Sequence, residues 1–382
     1  MRQVTSPHYV LEMHADDKPN SAAPSQPGGQ PNRADCERDR YDRIVNCRGS
    51  ADPFKRVPGA LLCAAVTVLA LVATGCRQTL DVGSNRPLPV DARNPVVLVN
   101  DEPYRNWQGE YAMLLANGGG LTLAGIVVGN STAWPDLNGN MTGWQDMVAA
   151  ARASGMQNIP DPITSTGATL QRPASGDIDA TTPNGSAGAH LIVDKSASLS
   201  LPDRPIVVAT GGRLTDVADA YLIDHTVTDR VVIVSALGTS SASGGEMGDP
   251  NGKMDPWADV IVAARFHYVQ VSAYYDQLTD VPTSRLSALP ANQFGDWIAE
   301  MQPNIWSLPQ AADQVSVLAA ALPGFVVDVE RVSAEAVDAG ATAGPTLTGD
   351  PNGSAWLVRQ IAGAVATERF WKLLLDPATY GR

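Results

Sequence analysis

From residue 95 onward, short unbroken apolar runs alternate with stretches of helical spacing. The first run is Pro95-Val96-Val97-Leu98-Val99, closed by Asn100-Asp101-Glu102-Pro103. Leu121–Val128, Pro205–Ala209 and Val231–Val234 repeat the pattern, and Val326–Val332 reads as a late strand. Runs of this length with no polar alternation predict strands buried on both faces. Between them, Tyr111, Leu114 and Leu115 stand at i, i+3 and i+4 in Gln108–Asn117, a helix that Gly118-Gly119-Gly120 stops. Thr142-Gly143-Trp144-Gln145 fits a capping box that opens a helix running to about Ser154. Helices are also predicted over Thr215–Asp224 and over Pro256–Phe266, where Pro256 suits the first turn. Asp313 opens another, and Ser354–Leu375 reads as a long closing helix with Leu357, Ile361, Val365 and Leu373 among its apolar residues. The alternation predicts an α/β fold: a mostly parallel central sheet flanked by helices, in a single large domain over 95–382. No internal repeat is visible.

The N-terminal part has a different pattern. Over residues 54–75, Lys55 and Arg56 precede an uncharged apolar stretch from Gly59 to Ala73, and Ala73-Thr74-Gly75-Cys76 closes it. That is the layout of a secretory signal peptide. The small residue before Cys76 makes it a lipoprotein signal, with Cys76 as the acylated residue. Cys63 suits that role less, because Leu62 precedes it and the apolar run continues past it. A membrane-spanning helix needs roughly 20 apolar residues, and this run is shorter. Residues 1–53 include Ser21–Arg33, rich in Pro, Gly and Ser, and read as a disordered extension or the product of an early start codon. Residues 76–94 read as a polar tether. The expected location is the bacterial cell envelope, outside the cytoplasm, with Arg77 after Cys76 favouring the outer membrane.

Charge and cysteine usage narrow the chemistry. A net charge of −13 with no basic run excludes nucleic acid as a partner. The four cysteines, Cys36, Cys47, Cys63 and Cys76, lie at or before the expected cleavage point. The folded domain therefore has no disulfide, thiolate metal site or cysteine nucleophile, as suits an oxidising compartment. Nothing in the sequence fixes an oligomeric state.

In sheets of this class ligands bind beyond the C-terminal ends of the strands. Those ends carry Asn100-Asp101-Glu102, then Gly129-Asn130-Ser131-Thr132, then Gly211-Gly212-Arg213-Leu214-Thr215-Asp216, and a loop from Gly238 to Met254 holding Asp249 and Asn251. Each has a plain structural alternative. Asn100 and Asp101 suit a turn before Pro103, Asn130 suits a turn, and Thr215, Asp216 and Asp313 suit helix caps. Their joint placement is what points to one cleft. Trp107, Trp134 and Trp144 could stack on a ligand, although buried packing is the stronger expectation. His190, His225 and His267 fall in or beside helical segments.

These motifs, in this order, resemble the nucleoside hydrolases from about Val96 to Leu375. Val96–Asp101 resembles the family's first strand and acidic D-x-D-x-x-x-D-D loop, and Leu123–Asn130 its second strand with a Gly-Asn end. Gly155–Pro160 resembles its Gly-to-Ile-Pro link, Gly212–Asp216 its G-P-L-T-N, and Asn251–Pro256 its N-I-Y-V-D-P. The resemblance implies a Ca²⁺ ion held by Asp101, the Thr215 backbone and Asp313, with Asp101 catalytic and Asn130, Asp249 and Asn251 on the sugar. It implies hydrolysis of an N-glycosidic or related sugar bond, the partner being a small nucleoside or sugar. This chain departs from the family in two places. Counting back from Gly125 sets Trp107 and Gln108 at the paired aspartates, with Glu102 and Glu110 the nearby carboxylates, and Ala312 stands where the family often has a His. The alternatives are a non-catalytic nucleoside- or sugar-binding envelope lipoprotein on the same fold, and a purely structural one.

Overall fold

The computed structural model describes residues 88–103, 107–131, 134–236, 254–271, 283–305, 313–337 and 344–376. Cys76, Asp249 and Asn251 lie outside them. Strands β1 (Pro95–Asn100), β2 (Thr122–Val128), β3 (Pro162–Thr164), β4 (Ile206–Thr210), β5 (Val231–Ala236), β6 (His267–Val271), β7 (Val326–Val337), β8 (Gly344–Gly349) and β9 (Ala355–Ile361) form one sheet. Its order is β3-β2-β1-β4-β5-β6-β9-β7-β8. Pairing is parallel from β3 to β9, and β7 runs antiparallel to both β9 and β8. The expected α/β architecture is present, with an antiparallel edge added.

Side chains of a strand point alternately to the two faces, and here both faces are apolar. Val96 and Leu98 of β1 belong to one core, Val97 and Val99 to the other. Helices α1 (Gln108–Asn117), α2 (Leu137–Ala153), α6 (Gln293–Ile305), α7 (Gln314–Ala321) and α8 (Gly363–Leu375) feed the first core, through Tyr111, Trp144, Phe294, Val315 and Phe370. Helices α3 (Ala187–Leu199), α4 (Thr215–Ile223) and α5 (Pro256–Arg265) feed the second, through Ile192, Val217 and Trp257. This two-sided cover is why the strands read as unbroken apolar runs.

Three sequence expectations change. The helix expected to open at Thr142 begins at Leu137, because Asp136 caps it by accepting from the Gly139 N–H at 3.0 Å. Thr142 lies inside, its hydroxyl turned back to the Asn138 carbonyl at 2.9 Å. The closing helix expected from Ser354 is two elements, β9 and then α8. Ala355-Trp356-Leu357-Val358 lies in the sheet between β6 and β7, which takes up its backbone groups. His267, beside the end of α5 as expected, begins β6. The packed part of the chain also starts before Pro95: Leu88 and Val90 are buried in the first core, and Asn94 Nδ2 donates to the Pro205 carbonyl at 2.6 Å. Among the described residues no helix is long and apolar enough to cross a membrane.

Candidate functional site

From β1 the chain moves through β2 to β3 on one side, whereas β4, β5 and β6 lie on the other. The strand order therefore reverses between β1 and β4, the place where an open α/β sheet leaves a crevice beyond its strand ends. Backbone bonds draw the neighbouring loops onto the tip of β1. Gly129 N–H donates to the Asn100 carbonyl at 2.7 Å, and Gly211 N–H to the Val99 carbonyl at 3.0 Å. Gly212 presses closest. A Cβ there would lie 3.1 Å from Asn100 Cα and 3.2 Å from the Asp101 nitrogen.

The floor of this crevice is an amide network. Asn100 Nδ2 donates to Gln108 Oε1 at 2.9 Å and to Asp313 Oδ2 at 3.1 Å. Gln108 Nε2 donates to Ser316 Oγ at 2.8 Å and to the Ala209 carbonyl at 3.3 Å, and Ser316 Oγ donates to the Asp313 carbonyl at 2.7 Å. Asp313 stands at the start of α7 without a side-chain cap bond, since its carboxylate turns to Asn100 across Gly211. Any Cβ at Gly211 would collide with that carboxylate. Asp101 is buried, with Oδ1 accepting from the Glu102 N–H at 2.6 Å and its carbonyl accepting from Trp144 Nε1 at 3.1 Å. Trp144 is thus a buried residue that positions the acidic loop. Trp107 packs on Phe370 and Trp371 with ring centroids 5.2 and 6.1 Å away, and its φ of 55° places it in the left-handed region. Both tryptophans follow the packing expectation.

The wall of the crevice comes from β2, β3 and β4. Asn130 Nδ2 donates to the Pro135 carbonyl at 3.2 Å, while its Oδ1 accepts from Arg213 Nη2. The same nitrogen donates to the Gly167 carbonyl at 2.9 Å. Gly167, at φ +70°, brings that carbonyl in where a Cβ would lie 3.4 Å from Asn130 Oδ1. Burial lowers the Arg213 pKa, and the charges of Asp255, Asp216 and Asp101 oppose the effect. Thr215 Oγ1 donates to Asp255 Oδ2 at 2.7 Å, and Asp255 also accepts from Leu170 N–H at 2.9 Å and Ala258 N–H at 3.1 Å. Burial nonetheless raises the Asp255 pKa. Neither Thr215 nor Asp216 is the cap of its own helix, a position Leu214 occupies. Asp216 instead accepts from Ser186 Oγ at 2.7 Å, and Asp219 takes the N–H groups of Asn184 and Ser186, so α4 ties down the start of α3.

The structure thus gathers Asn100, Asp101 and Asp313 at the tip of β1, and links Asn130 to the Thr215–Asp255 pair through the field of Arg213. A calcium ion takes roughly six to eight oxygen ligands, usually with several carboxylates. No cluster of three or more His, Cys, Asp or Glu side chains among the described residues can hold a metal ion. Asn100 and Gln108 contribute neutral amides already bonded to protein, and Asp313 Oδ2 already accepts from Asn100. The described donor set does not fit a divalent cation.

Comparison with solved structures identifies the scaffold. An inosine-guanosine nucleoside hydrolase superposes with a TM-score of 0.56 at 17% identity, over 75% of this chain and 99% of that one. The chain has the nucleoside hydrolase fold. A purine-preferring ribonucleoside hydrolase from Gardnerella vaginalis gives 0.53 at 15% identity, over 74% and 99%. An inosine-uridine preferring nucleoside hydrolase from Bacillus anthracis gives 0.53 at 12%, over 75% and 99%. No family model and no curated protein matches. Within this nucleoside hydrolase fold, the residue that sequence reasoning left without a role is Arg213. Its signal was a basic residue inside a strand-end motif, at the position where the resembled G-P-L-T-N has proline.

Proposed function

We propose that this nucleoside-hydrolase-like chain takes a nucleoside or related glycoside in the crevice between β1 and β4 and hydrolyses its glycosidic bond. The observation that carries the reading is the convergence of Asp101, Asn130 and Arg213 at the strand-order reversal of this fold. In the proposed reaction the C–N bond breaks with its electron pair leaving on the base, which takes a proton from solvent, while positive charge grows on the sugar ring and the water oxygen forms the new C–O bond. Asp101 takes the proton of the attacking water, and Asn130 and Arg213 hold the sugar. Asp249 and Asn251 would join from their loop. A positioned carboxylate acting as a base contributes about 10²–10⁴ in rate. Asp101→Asn is therefore expected to lower kcat at least 100-fold while KM changes little. The test is release of free base or reducing sugar from a panel of nucleosides and nucleotide sugars, in Ca²⁺ and in EDTA. No turnover of any member in either condition would overturn the hydrolase reading.

One observation favours a second reading, capture without cleavage: amides stand at Asn100 and Gln108. A ligand that raises the melting temperature with no turnover would establish it. The anchor at Cys76 belongs to both readings and rests on the signal-like segment before it. Labelling with a radioactive fatty acid, lost in Cys76→Ala, is the expected outcome.

A further inference from the structure

We propose that the Arg213 guanidinium is the resident cation of the crevice and donates its Nε–H to a sugar hydroxyl, so that a glycoside binds here without a divalent ion. The inference rests on the proposed reading for its ligand, but its claim about charge stands separately. Four observations carry it.

The first is position. Arg213 follows β4 at the edge of the strand-order reversal, and Gly211 and Gly212 lay its loop against the tip of β1. The second is restraint. Nη2 is anchored at once to Asn130 Oδ1, after β2, and to the Gly167 carbonyl, after β3, so loops beyond three strands share one guanidinium. The third is an open valence. Arg213 Nε is buried and has no hydrogen-bond acceptor among the described residues. A buried N–H left unpaired is costly, and a ligand oxygen in the crevice would relieve it. The rest of the side chain is only partly buried.

The fourth is charge. Asp255, Asp216 and Asp101 all act on Arg213, and a guanidinium keeps its proton even when buried. A divalent ion added beside it would meet like charge at short range. Meanwhile the strand tip that would have to coordinate that ion is closed by the Asn100–Gln108–Asp313 network.

The experiment uses the full chain with two probes, Ca²⁺ alone by equilibrium dialysis and ribose by calorimetry in Ca²⁺ or EDTA. The wild type is expected to show no saturable Ca²⁺ binding up to about 1 mM, the weak end of protein calcium sites. Its ribose affinity is expected to be equal in both buffers. Arg213→Lys keeps the charge but lacks both the Nε–H and the fork that anchors Nη2, so ribose should bind at least tenfold more weakly, with a cooperative melting curve as the control for folding. Arg213→Met should bind ribose no better than Arg213→Lys. Saturable Ca²⁺ binding by the wild type that Asp313→Asn abolishes would overturn the claim about charge. Wild-type ribose affinity in Arg213→Lys would overturn the claim about Nε. If the wild type binds no ribose in either buffer, the glycoside reading and the donor role both fail, while absent Ca²⁺ binding still upholds the resident cation.

Discussion

Glu110 shows how far a single side chain can set the pH response. It lies in the first turn of α1 and is fully buried. Burial, with a smaller push from the Glu102 charge, raises its pKa from 4.5 to about 8, while its own backbone N–H pulls the other way. The folded protein therefore holds this proton more tightly than the unfolded chain. Stability from Glu110 is complete below the unfolded value and declines as pH rises from 4.5 to about 8. At pH 7 the loss is on the order of 3 kcal/mol, from 1.36 kcal/mol per pKa unit. Glu110→Gln keeps the shape and removes the proton, so it should raise the melting temperature at pH 7 and leave it unchanged below pH 4. Melting curves across pH 4–9 for both proteins check this. A parallel fall with pH in the variant would remove Glu110 as the cause. Burial of this kind was not legible from sequence, where Glu110 was only a carboxylate near a missing pair. Gln108 was legible as a departure and Asn100 as a strand-end residue, yet the pairing of Asn100 with Gln108 and with Asp313 needed the folded chain. Arg213 was hidden for the same reason, since a charge in a motif says nothing of its own burial.

At the scale of elements, local signals were enough wherever they were complete. Gln108–Asn117 carries its own periodicity and its own glycine stop, and the helix has those bounds. β1, β4 and β5 are apolar on both faces and could hardly be anything else. Signals failed where two alternatives competed. For α2, Asp136 and Thr142 both offer a capping oxygen, and the earlier one captures an N–H. Asp136→Ala should cost about 1 kcal/mol, whereas Thr142→Ala should be within about 0.5 kcal/mol of neutral, as surface changes usually are. Urea unfolding of both variants decides which oxygen caps the helix. For β9, Leu357 and Ile361 satisfy helical spacing as well as an apolar run. The decision belongs to β6 and β7, whose edges are available only in the assembled sheet. Local propensity is overridden there by ladder bonds.

The whole molecule depends on a segment that composition alone marks as a tether. Leu88 is fully buried and Val90 nearly so. Each apolar side chain of this size contributes about 1.5–3 kcal/mol when buried. A chain starting at Pro95 should therefore be less stable by on the order of 3 kcal/mol than one starting at Cys76, measured as a lower urea midpoint with a similar slope. Equal midpoints would mean that these contacts add nothing. A second consequence comes from the amide network at the tip of β1. Asn100 meets Gln108, only 8 positions along the chain, but it also meets Asp313, 213 positions away. Closing so long a loop is slow because its entropy is lost before the contact forms. The Asn100–Asp313 contact is therefore expected to form late in folding. After dilution from denaturant, helix signal should recover first and ligand capture should lag behind it. A chain emerging from synthesis would lack the Asn100–Asp313 contact until the segment that carries Asp313 had docked.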